Sequence, residues 1–65
     1  MEILILEIRK NEGITLETLA NESGISKSTV QRIESGAVSP TMEKMEKLAK
    51  ALGVKISDLF ESEYK

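Results

Sequence analysis

The chain has 65 residues, of which 40% are hydrophobic, 3% aromatic and 31% charged. With no cysteine and no histidine, disulfides and the usual zinc ligand sets are excluded, and a chain this short buries only about 60% of its unfolded surface, so it depends on tight packing of short elements. The net charge of −2 is a point against nucleic-acid binding, although a phosphate backbone senses the face that carries the Lys and Arg residues rather than their sum.

Residues 2–11 place Leu4, Ile5 and Ile8 on one helical stripe, with Met1 one turn earlier, and the charged end Arg9–Glu12 runs into Gly13 as a helix stop. Thr15 stands where an N-cap belongs, before a helix over about 16–22 that turns Leu19 and Ala20 inward. Gly24 interrupts that helix, Ser26 caps a third over about 27–35 with Val30 and Ile33 inside, and Gly36 stops it. Ala37–Pro40 reads as a loop. Thr41 caps a fourth helix through Leu52, with Met45, Leu48, Ala49 and Leu52 at i, i+3, i+4 and i+7, and Gly53 closes it. Ser57 is expected to cap a short fifth helix holding Leu59 and Phe60, before a polar tail Glu61–Lys65. No segment alternates with period two, so no strand is expected. The expected fold class is all-α, a five-helix orthogonal bundle forming a single domain over 1–65.

Catalysis is a poor fit. With neither His nor Cys and little room for a pocket, no enzyme activity and no cofactor are expected. No apolar run approaches the roughly 18 residues of a membrane span, and Met1–Leu6 is too short for a signal core. The expected location is the cytoplasm.

The stretch over 15–35 reads as a helix, a short glycine turn and a second helix, the layout of a helix-turn-helix unit. The wording is specific as well. GITLETLANESGISKSTVQRIESG (Gly13 to Gly36), followed by SPTMEKMEKLAKALGV (Ser39 to Val54) and SDLF (Ser57 to Phe60), resembles the Cro/phage-repressor type of helix-turn-helix domain, the XRE family, over nearly the whole chain and without gaps. The resemblance implies a lambda repressor-like DNA-binding fold and a repressor-like transcriptional regulator, a homodimer on a two-fold operator of double-stranded DNA. The helix over 27–35 would then lie in the major groove.

Carried onto this sequence, base reading falls to Lys27, Ser28, Thr29, Gln31 and Arg32. Lys and Arg suit guanine O6/N7, Gln suits adenine N6/N7, and hydroxyls suit either bases or phosphates. The competing explanation of the same residues is a solvated polar helix face. The phosphate candidates are Thr15, Ser26, Ser39 and Thr41, whose hydroxyls serve equally well as caps. Here the chain departs from the family pattern: the position after Thr15, commonly Gln, is Leu16, and the often basic loop after the recognition helix reads Ala37, Val38, Ser39. Fewer ionic contacts imply a shallow salt dependence. The resemblance also implies a structural ion pair between Arg9 and Glu34. The remaining charges along the fourth helix (Glu43, Lys44, Glu46, Lys47, Lys50) read as a solvated face.

Ile3 and Leu6 fall on the half of the first helix opposite its docking stripe. They are either covered by Phe60 or Tyr64, or form a contact surface for a second subunit or protein partner. Two other function classes stay open: an antitoxin-like or adaptor protein whose helix-turn-helix fold mainly binds a protein partner, and a purely structural helical module.

Overall fold

The computed structural model describes residues 2–63. Among them lie four α-helices: α1 (Ile5–Asn11), α2 (Leu16–Ser23), α3 (Lys27–Ser35) and α4 (Met42–Leu52). A two-residue strand, β1 (Glu2–Ile3), precedes them, and a 3₁₀ turn (Ile56–Leu59) leads into a second strand, β2 (Phe60–Glu61).

The three central helices begin where hydroxyl caps stand. Thr15, Ser26 and Thr41 have extended backbones, and their side-chain oxygens accept the N–H of Thr18, Thr29 and Lys44 at 3.1, 3.3 and 3.2 Å. These are donors that a helix start cannot satisfy internally. The sharp break between α2 and α3 depends on Gly24, which adopts φ 73°, a left-handed conformation that a side chain would oppose.

All four helices and the 3₁₀ turn converge on one core. Ile5 enters from α1, Leu19 and Ala20 from α2, Val30 and Ile33 from α3, and Leu59 from the 3₁₀ turn, with Ile25 of the α2–α3 turn beside them. The apolar stripe of α4 faces the same cluster, with Met45, Leu48, Ala49 and Leu52 all buried.

The two ends correct the five-helix, strandless expectation. The first helix begins at Ile5 rather than Glu2, because β1 pairs antiparallel with β2, setting Glu2 opposite Glu61 and Ile3 opposite Phe60. The Leu4 N–H continues that ladder to the Leu59 carbonyl at 2.8 Å. A paired backbone has no helical bonds to give, and Leu4 offers no capping side chain to start a helix earlier. The expected fifth helix is a single 3₁₀ turn with Phe60 already in β2. Exposed Ser57 does not cap it; the Asp58 carboxylate accepts the Lys55 N–H at 3.0 Å instead. Ile3 therefore leaves the helical azimuth on which it was placed and lies half-buried in β1, packed against the core. The roles expected of Met1 and Tyr64 lie outside the described residues. No helix among the described residues is long and apolar enough to cross a membrane.

Candidate nucleic-acid interface

The candidate reading surface is α3. Its inner face is fixed by Val30 and Ile33, both at 0% exposure. A polar clamp fixes its C-terminal end: the Arg9 guanidinium donates to the Glu34 carboxylate at 2.7 and 3.3 Å, and to the Ile14 carbonyl at 3.1 Å. Arg9 and Glu34 side chains are 13% and 6% exposed, so their charges face each other and not solvent. One face buried and one end clamped set the azimuth of the helix, and with it the residues that point outward.

Those residues are Lys27, Ser28, Gln31, Arg32 and Ser35, all exposed. Neither Lys27 nor Arg32 has a carboxylate partner among the described residues. The fifth base-reading candidate differs. Thr29 is half-buried, its N–H donates to Ser26 Oγ, and its own hydroxyl oxygen accepts the Ser26 hydroxyl at 2.7 Å. Thr29 retains its hydroxyl proton and one lone pair for a ligand, on a side chain that is only partly accessible.

The phosphate candidates separate by the same hydrogen-bond count. Ser26 and Thr15 each accept a backbone N–H and donate to the threonine three residues on, Thr15 to Thr18 at 2.8 Å. Both hydroxyls are occupied as donor and acceptor. The Thr41 oxygen accepts the Lys44 N–H and keeps its proton, while Ser39 is exposed with no side-chain hydrogen bond among the described residues. On chemical grounds Ser39 and Thr41 are the better placed pair.

The charged residues of α4 are exposed, as expected of a solvated face, and two of them, Lys44 and Lys47, also stand beside the start of α3. Both line an open groove together with Ser26, Thr29, Thr41 and the acidic Glu43, between the first turn of α3 and the first two turns of α4. Lys47 also pairs with Glu43 at 3.4 Å, in an exposed i, i+4 contact. The helical spacing of Lys44 and Lys47 gives no hint of this; the packing of α4 beside the α2–α3 turn creates it. A second groove brings Leu6, Lys10 and Leu16 beside Gln31. No cluster of His, Cys, Asp or Glu able to hold a metal ion occurs among the described residues.

A family model described as helix-turn-helix matches residues 5–59. The chain is 39% identical over 61 residues to an uncharacterized HTH-type transcriptional regulator of Methanothermobacter thermautotrophicus, covering 92% of this chain and 88% of that one. Over 55 residues it is 40% identical to the cryptic phage CTXphi transcriptional repressor RstR of Vibrio cholerae, covering 85% of this chain and 50% of the repressor, so it spans about half the repressor's length. Two solved structures share the fold. The restriction-modification controller protein C.AhdI from Aeromonas hydrophila superposes with a TM-score of 0.83 at 36% identity, covering 86% of this chain and 85% of that one. The N-terminal DNA-binding domain of SinR from Bacillus subtilis gives 0.81 at 29% identity, with 94% and 90% covered.

Proposed function

The chain belongs to the helix-turn-helix family of transcriptional regulators, and from that premise we propose that it is a DNA-binding regulator that reads the major groove with α3, as a homodimer on a two-fold operator. The observation that carries this reading is the exposed row Lys27, Ser28, Gln31 and Arg32, set on a helix whose opposite face is immobilised by core packing and the Arg9–Glu34 clamp. A row of donors on a rigid helix is what base-edge hydrogen bonding requires, since orienting a loose one would offset the contact. Affinity comes from the phosphates and falls to the groove where Thr41, Lys44 and Lys47 meet the first turn of α3. The similarity to a DNA-binding domain and to transcriptional regulators supports this assignment. In-vitro selection of bound duplexes from a random pool tests it. A recovered palindrome, with half-sites about one helical turn apart, supports both DNA reading and the two-fold dimer; enrichment of no sequence refutes the reading.

A second reading is a protein-binding adaptor. It is favoured by Val38 and Met42, large apolar side chains that are 41% and 67% exposed around the α3–α4 loop. It predicts a stoichiometric protein partner whose binding is lost in a Met42→Glu variant that still binds the selected duplex.

A further inference from the structure

Between α1, the first residue of α2 and the outer face of α3 runs an open groove lined by Leu6 and Lys10 of α1, Leu16 of α2 and Gln31 and Ser35 of α3, together with the Arg9–Glu34 pair. Most of its polar groups are already engaged. Arg9 and Glu34 bond each other, and the Ser35 hydroxyl donates to the Arg32 carbonyl at 3.1 Å. The Gln31 amide has no side-chain hydrogen bond among the described residues. An exposed glutamine is a poor base reader on its own, because its torsions are free in solution and must be frozen on contact with adenine.

The groove supplies a remedy. Leu6 and Leu16 are both half-buried, and Leu16 is packed against the core. An apolar wall that is itself anchored restricts the methylenes of a long polar side chain while its tip stays in water. Such an apolar wall has no use in a phosphate contact.

We propose that Leu16, with Leu6 beside it, is a positioning residue for base recognition: it holds the stem of Gln31 so that the amide is presented edge-on to adenine. This rests on the reading of α3 as the recognition helix. Leu16 touches no base itself; it acts by removing rotamers of Gln31 before DNA arrives.

The test begins from a selected duplex. The base pair read by Gln31 is the one whose preference collapses in Gln31→Ala. Competition binding to four duplexes that differ only at that pair is then measured for the parent, Leu16→Ala and Leu16→Met. Leu16→Ala is expected to lower the preference for A·T there by about three- to tenfold, the range set by one side chain losing its preorganisation. Preferences at other positions stay as in the parent. Leu16→Met recovers most of the loss, since an unbranched apolar chain fills the same wall. In a Gln31→Ala background, Leu16→Ala changes nothing further at that pair. Equal weakening on all four duplexes overturns the proposal in favour of a scaffold role, and so does parental discrimination in a folded Leu16→Ala. Failure of the underlying reading has a different signature, with no sequence selected by the parent or no preference altered by Gln31→Ala, and either result removes this proposal as well.

Discussion

Arg9 and Glu34, 25 residues apart in the chain, meet through two hydrogen bonds of 2.7 and 3.3 Å, and so tie the last turn of α3 to the end of α1. A third bond, from Arg9 to the Ile14 carbonyl at 3.1 Å, ties the same guanidinium to the segment entering α2. One side chain thus spans three pieces of backbone whose relative positions decide how α3 is presented.

Removing either partner leaves the other largely out of water. Arg9→Ala and Glu34→Ala are each expected to destabilise the fold by about 1.5–3 kcal/mol, the range for hydrogen bonds to charged groups. Urea unfolding of the two single variants and the double variant measures this. The double variant is expected to be less unstable than the sum of the singles, because no orphaned charge remains; additive losses would mean that the pair is not coupled.

Arg32 carries no structural duty among the described residues beyond its backbone, so its replacement reports on recognition alone. Arg32→Ala should leave the melting temperature close to the parent's. At its preferred base pair it should cost on the order of 1–3 kcal/mol of discrimination if the guanidinium bonds guanine in bidentate fashion. Binding curves on the selected duplex and on single-pair variants check it. Lys27→Ala and Ser28→Ala belong in the same series, and parental behaviour of all three on every duplex would refute the assignment of α3.

The parts legible in the sequence are those where a local rule and the tertiary structure agree. Thr15, Ser26 and Thr41 cap because each precedes an apolar-periodic run, and α4 buries the residues spaced at i, i+3, i+4 and i+7. The ends were illegible for the opposite reason. β1 and β2 are two residues each, too short to show alternation, and they exist because the core brings the chain ends together; Ile3 has no local signal that it will meet Phe60. The grooves escaped notice similarly. Lys44 and Lys47 lie on a solvated helix face, as their spacing suggests, and only the fold shows that this face borders the start of α3.

The hydroxyls offer a clean division of labour. Ser26→Ala removes a cap and should destabilise the protein by about 1 kcal/mol, read as a lower midpoint in thermal or urea melts. Ser39→Ala removes an exposed hydroxyl with no bond to lose, so stability should be unchanged within about 0.5 kcal/mol. If Ser39 meets a phosphate, its loss lowers affinity for cognate and non-cognate duplexes alike. A sequence-dependent effect of Ser39→Ala would place it at a base instead.

Ile3 and Leu6 entered the sequence reading as one apolar pair, and the structure separates them. Ile3 is held in β1 opposite Phe60 and against the core, so Ile3→Glu forces a carboxylate into an apolar contact, or breaks the strand pair, and should lower the melting temperature at unchanged sedimentation mass. Leu6 lines the groove that also holds Gln31 and Lys10. A side chain beside the proposed reading face is poorly placed to sit in a subunit interface as well. Leu6→Glu is therefore expected to leave both fold and dimer intact and to weaken binding to every duplex, because it adds a carboxylate on the DNA-facing side. It is also expected to lower discrimination further at the base pair read by Gln31, whose apolar wall it removes. Raising the salt should narrow the gap between this variant and the parent, since screening relieves the repulsion. The deciding measurement is sedimentation of folded Leu6→Glu without DNA. If the dimer dissociates while the monomer still melts cooperatively, Leu6 is an interface residue and its assignment to the DNA side is wrong.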